Sequence, residues 1–294
     1  RHVLGLFGCE DVVIHGLTFS HGGGDGIYIG SDKKQWSRPS KNITIRDCSS
    51  QYNYRQGMSI VSVDNLLVDN CNFSFTEGTW PQAGIDIEPF SNKHRISQVV
   101  IQNSVSRSNE GCAFVVNLHK LDESSEPVSI LFYNCRATES MHGIQVGPVK
   151  DRNPGGLLEF RNCVIENSEA SGLRIVDKSA KNMRLQFKEC KWKDPGSNGT
   201  YPAAPYALPI CFDLEDAENA STFGGITFDT CFVFDSKKRP VVKMYSKEDN
   251  VSVEDITGSV MVYSRHEVFT EISGAGVSLK VQAINKKNVG VLIE

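Results

Sequence analysis

One short pattern restricts what this chain can fold into more than any other feature. A turn residue and a glycine are followed by apolar residues at alternate positions. It reads DGIYIG (25–30), QGMSIV (56–61), AGIDIE (83–88), EGCAFV (110–115), HGIQVG (142–147) and SGLRIV (171–176). The glycines Gly26, Gly57, Gly84, Gly111, Gly143 and Gly172 are 31, 27, 27, 32 and 29 residues apart. Between them runs a second pattern: NITIRDC (42–48), NLLVDNC (65–71), VVIQNS (99–104), ILFYNC (130–135), LEFRNC (158–163), LQFKEC (185–190) and ITFDTC (226–231). Each is a period-two strand ending in a polar residue plus Cys or Ser.

No long helical pattern intervenes, which argues against βαβ units. Short strands in repeats near 30 residues predict a solenoid whose coils stack as parallel β-sheets. Cys48, Cys71, Cys135, Cys163, Cys190 and Cys231 then share one repeat position, with Ser104 replacing one of them. A small, weakly polar thiol suits a tight interior column. The chain has nine cysteines but no CxxC pair and no Cys/His cluster at zinc spacing, so neither a disulfide framework nor a metal site is expected. Asn70, Asn103, Asn134 and Asn162 are expected to form an amide ladder along the axis.

These two ladders resemble the single-stranded right-handed parallel β-helix of the pectin-lyase-like superfamily, over about residues 10–235. The fold class is therefore expected to be all-β, with 1–235 as the β-helix coils and 236–294 as the last coils or a C-terminal β cap. The resemblance implies carbohydrate chemistry: polysaccharide lyases, several glycoside hydrolase families, uronate epimerases and phage tailspikes share the fold. It implies no single activity, because one scaffold hosts many. The polygalacturonase motif set is absent, and HGGGDG (21–26) carries only one of its aspartates. The pattern is already under way in HVLGLFG (2–8), and Arg1 is not a natural start, so further N-terminal coils are expected in the complete protein.

Aligning the strands on their glycines assigns two faces. Ile27/Ile29, Met58/Ile60, Ile85/Ile87, Cys112/Phe114, Ile144/Val146 and Leu173/Ile175 should point inward. Tyr28/Gly30, Ser59/Val61, Asp86/Glu88, Ala113/Val115, Gln145/Gly147 and Arg174/Val176 should point outward. Asp86 and Glu88 would thus stand side by side on one outer face, on a floor of Ser59, Val61, Ala113 and Val115. Two residues along a strand span roughly 6.6 Å. Acid and base of an inverting glycosidase stand about 6.5–9.5 Å apart, leaving room for a water. Like charges that close raise one pKa, and a raised beside an unraised carboxyl makes an acid/base pair. The alternative is two solvated surface acids.

The expected catalytic set is Asp86 and Glu88 with Asp25 as a third acid. The expected substrate-binding set is Arg55, Gln56, Tyr28, Glu110, His119, Gln145, Arg174 and Trp80. Arg55 would meet either a substrate carboxylate or Asp25. His119 and His142 are proton-transfer groups or plain surface histidines. Trp36, Trp80, Phe90, Tyr201 and Tyr206 lie in or beside loops, where flat apolar faces suit sugar rings. The first expectation is a glycoside hydrolase acting on a polysaccharide or oligosaccharide, without a cofactor. The second is a lyase or uronate epimerase using Ca²⁺ and a basic residue. The third is a glycan-binding tailspike or adhesin without turnover. With a formal net charge of −4 spread along the chain and no apolar run of 18 residues, neither a nucleic-acid partner nor a membrane span is expected. A polysaccharide partner implies a secreted or periplasmic location. The sequence carries no signal for oligomeric state.

Overall fold

The computed structural model describes residues 1–32, 38–196, 206–216, 219–247 and 252–284. Among them there is no helix. The chain winds as a parallel β-helix in which a typical coil contributes three strands. One coil is Ile85–Ile87, Ile96–Gln102 and Val105–Arg107, and the next is Cys112–Val116, Val128–Tyr133 and Arg136–Thr138. The first strand of each coil joins a ten-stranded sheet, and the other two run through a second, larger sheet. Every ladder between the named strands is parallel, as in Val99 with Ile130 and Ser106 with Ala137; a single isolated bridge among the described residues, Ser179 with Phe223, runs antiparallel. The described strands beyond residue 235 continue the stack: Thr222–Asp235 pairs with Ser252–Ser264, which pairs with Val277–Ala283.

Alternation of apolar residues works here because one face of each strand looks into the coil interior. Ile27, Ile29, Met58, Ile60, Ile85, Ile87, Ile144, Val146, Leu173 and Ile175 are all completely buried. Phe132, Phe160, Phe187 and Phe228 form an inner column with successive ring centroids 4.6, 5.3 and 5.2 Å apart. The coil spacing of about 4.8 Å is close to that of offset-stacked rings, so identical residues in register stack without strain.

The recurring Asn-Cys step has a local cause. The residue before each cysteine turns the corner between the second and third strands with a positive φ: 53° at Asn70, 53° at Asn134 and 51° at Asn162. Asn tolerates this left-handed conformation better than other side chains that carry a Cβ. Its amide then bonds along the axis: Asn134 Nδ2 donates to Asn103 Oδ1 at 2.8 Å, and Asn162 Nδ2 to Asn134 Oδ1 at 3.3 Å. The cysteine behind it is free, and its thiol donates to the carbonyl two residues back, at 3.1 Å for Cys48 and 3.3 Å for Cys71. Asn134→Ala should therefore cost about 1–2 kcal/mol, mostly from the left-handed backbone, and Asn134→Gly distinctly less. Urea midpoints of the two variants, at unchanged slope, check the ordering.

The glycine at the start of each first strand is a packing requirement. A Cβ on Gly84 would lie 2.0 Å from Ser106 Oγ, and one on Gly143 would lie 2.2 Å from Ile165 Cγ2. Alignment on the glycines nevertheless fails at one coil. Phe114 pairs with Ile85 on one side and Ile144 on the other, so Ala113, not Gly111, takes the strand-start position. Gly111 answers a different demand, since a Cβ there would meet Pro81 O at 1.8 Å. The two-residue shift corrects three expectations. Ala113 joins the main core instead of facing outward. Cys112 leaves the core to pack with Ala83 and Val115. Val115 becomes the neighbour of Asp86, and Glu88 comes beside Asn117.

Candidate functional site

The outer face of the ten-stranded sheet carries a groove of about 440 Å³. Its floor is Ser59, Val61, Asp86 and Glu88, supplied by neighbouring strands. Tyr28, Arg55 and His2 wall one side, and Phe90, His119 and Lys120 wall the other. Strand phase explains the shared direction of the two acids. Ile85 and Ile87 are driven into the core, which turns Asp86 and the following Glu88 toward this groove.

Asp86 is 2 % exposed, so it is not a solvated surface acid. Gln56 Nε2 donates to Asp86 Oδ2 at 2.6 Å. The Gln56 amide cannot turn over, because its Oε1 accepts the Ala83 backbone N–H at 2.9 Å. Oδ2 is thereby taken as an acceptor, and a proton on Asp86 belongs on Oδ1. Burial, reinforced by the charges of Glu88 and Asp25, pushes the Asp86 carboxyl well above the usual carboxylate range; Arg55 and the Gln56 hydrogen bond only partly oppose this. Glu88 is more open, and its Oε1 accepts from Asn117 Nδ2 at 3.2 Å. Asn117 Oδ1 in turn meets His119 Nδ1 at 2.7 Å.

Tyr28 lies against His2, with ring centroids 4.6 Å apart. Burial first and the neighbouring Asp25 second push its hydroxyl up to about 12, so it is a neutral donor at physiological pH. His119 is displaced the other way, below the usual histidine value, by burial and by Lys120 and Lys150. A groove with a neutral-leaning acid, a second carboxyl group, a neutral histidine and two basic side chains can both donate and accept protons.

The remaining sequence-derived candidates lie elsewhere. Asp25 is fully buried and does not line the groove; its carboxylate holds Arg55 Nη1 at 3.3 Å, His2 Nδ1 at 3.1 Å and Ser59 Oγ at 2.8 Å. The expected third acid is instead the anchor that aims Arg55. Gln145 and Arg174 form a separate cluster farther along the same sheet. Arg174 bonds Asp213, Glu215 and Gln145 and lies over the Tyr206 ring at 4.8 Å. Glu110 accepts from Gln82 outside the groove. Trp80 is exposed but lines no part of the groove. His142 is buried and accepts the Ser171 N–H at 3.2 Å, and burial drives its pKa down to about 3. It serves packing, not proton transfer in the groove. Trp36 and Tyr201 lie outside the described residues. Among the described residues, no three His, Cys, Asp or Glu side chains come together in a way that could hold a metal ion. Sequence reasoning missed His2 and Lys120. Lys120 had a signal, since it follows His119 directly, whereas His2 reaches the groove only through coil stacking.

Comparison with known proteins agrees with this architecture. A family described as "Right handed beta helix region" matches residues 2–147. The uncharacterized protein YclG of Bacillus subtilis (strain 168) is 36 % identical over 89 residues, which cover 28 % of this chain and 15 % of that protein's length. The mannuronan C-5 epimerase AlgE6 A-module of Azotobacter vinelandii superposes with a TM-score of 0.58 at 13 % identity, over 89 % of this chain and 69 % of that one. The surface protein and adhesin PfbA of Streptococcus pneumoniae superposes with a TM-score of 0.51 at 16 % identity, over 96 % of this chain and 82 % of that one. At such identities the likeness is one of fold.

Proposed function

Because the chain is a right-handed parallel β-helix with a two-carboxyl groove on its ten-stranded face, we propose that it is a carbohydrate-active enzyme, a glycoside hydrolase acting on a polysaccharide or oligosaccharide. The observation that carries this reading is the pairing of Asp86, buried and biased toward its protonated form, with the more open Glu88 two residues along the same face. Asp86 delivers its proton to the glycosidic oxygen as the bond from that oxygen to the anomeric carbon breaks. Glu88 takes a proton from water, whose oxygen forms the new bond to the anomeric carbon. Phe90 offers an apolar face to a sugar ring, and Tyr28 and Arg55 supply donors to its hydroxyls. A polymeric sugar substrate fits a secreted or periplasmic location.

Proton abstraction from an acidic sugar, by a lyase or an epimerase, is the second reading. Arg55 and Lys120 favour it, because two cations at a groove suit a carboxylate-bearing ring. The Ca²⁺ associated with that chemistry does not fit the acids present: Asp25 is committed to Arg55, His2 and Ser59, and among the described residues no three His, Cys, Asp or Glu side chains converge. A glycan-binding protein without turnover is the third reading.

Incubation with panels of neutral and uronate-containing glycans separates the three. Hydrolysis gives new reducing ends without ultraviolet absorbance, and elimination gives an unsaturated, absorbing product. Epimerisation changes sugar composition without cleavage, whereas pure binding gives no product. Glu88→Gln should lower hydrolysis by about 10²–10⁴-fold with an unchanged melting profile. Turnover equal to wild type in that variant would refute its role as the base.

A further inference from the structure

We propose that Asn117 is a positioning residue that sets the tautomer of His119, so that the histidine faces the groove as a one-sided proton acceptor through Nε2. Asn117 follows the strand Cys112–Val116, and its backbone N–H donates to Ile87 O at 2.9 Å, which pins it beside the acidic pair. Its amide can sit in one orientation only. Asn117 Oδ1 lies 3.3 Å from the His119 backbone N–H, a group that can only donate, so the oxygen must be on that side. Nδ2 then donates to Glu88 Oε1 at 3.2 Å; turned over, the amide would set its oxygen against a carboxylate and its NH₂ against an N–H.

With the amide fixed, the ring is fixed too. His119 Nδ1 lies 2.7 Å from the same Oδ1, a distance that requires a proton on Nδ1. In the neutral ring Nε2 is then the lone-pair nitrogen. No hydrogen bond from Nε2 to a described residue is present, and the ring lines the groove with Glu88, Phe90 and Lys120. The charged groups around it are Lys120 and Lys150, which favour the neutral ring, and Glu88, which reaches it only through Asn117. One amide thus connects the two groups that can accept a proton in the groove.

This inference rests on the groove being the working site, but its test needs no substrate, so either idea can fail alone. Two-bond ¹H–¹⁵N correlation spectra of the labelled protein at pH 7.5 report each histidine's tautomer, and His119→Gln assigns the signal. Wild type should show His119 as the Nδ1–H tautomer. Asn117→Ala should move it to the Nε2–H form that free histidine favours. Asn117→Asp keeps the acceptor but adds a charge, so it should retain Nδ1–H while raising the His119 pKa by about one unit or more. An Nε2–H signal or a tautomer mixture in wild type would overturn the proposal. So would an unchanged tautomer in folded Asn117→Ala, or an unmoved pKa in Asn117→Asp.

Discussion

Asp86→Asn is expected to lower glycan turnover by about 10²–10⁴-fold and, at the same time, to make the protein more stable at neutral pH. The first effect follows from loss of the general acid. The second follows from linkage. The folded-state pKa of Asp86 is raised, so its stabilising contribution is fully present below the unfolded carboxyl value of about 3.9 and is lost as pH rises through the folded value. Above that value wild type carries a buried charge held by one amide, and the Asn variant does not. The melting temperatures of the two proteins should nearly coincide near pH 4 and diverge as pH rises, with the variant ahead by on the order of 1 kcal/mol or more. An acid kept purely for structure would give the opposite sign at neutral pH. A variant that is less stable at pH 7 and still active would sink the assignment of Asp86.

The largest stability effect is expected inside the coil. Phe160→Ala should destabilise by about 3–5 kcal/mol, because the ring is fully buried and stacked on Phe132 at 4.6 Å and Phe187 at 5.3 Å. The column has no mobile neighbour to collapse into the gap, since each ring is held in place by the coil above and below. In a solenoid the loss is felt by the nearest coils first. Hydrogen exchange should therefore show faster opening of the strands Val128–Tyr133, Gly156–Arg161 and Arg184–Lys188 than of the distant Val63–Asp69. Tyr133→Ala, on the exposed side of the same sheet, should shift the urea midpoint by less than about 0.5 kcal/mol equivalent. Equal losses in the two variants would contradict the packing account.

Much of the groove was legible because strand alternation is a local property. Burying Ile85 and Ile87 places Asp86 and the next outward residue, Glu88, on the same side, whatever the rest of the chain does. Glycine content was a poorer guide. Gly84 and Gly111 look alike in the sequence, yet one is crowded by Ser106 in the core and the other by Pro81 O in a turn. Mistaking one for the other shifted a coil by two residues and hid Asn117 as the neighbour of Glu88. Charge was the poorest guide of all. Asp25, Glu110 and Arg174 are all polar residues near the outer face, but each is taken up by partners distant in sequence, such as Arg55, Gln82 and Asp213.

By itself the sequence determined the coil, its repeat of about 30 residues, the inner face of every aligned coil but the one at 110–115, and the common direction of the two acids, because steric alternation and apolar burial act over a few residues. Only the tertiary structure decided which coils lie in register, which acids are neutralised from behind, and that His2, His119 and Lys120 meet over one floor. Those outcomes depend on the lengths of the connecting loops and on contacts between coils, and neither is encoded in any single strand.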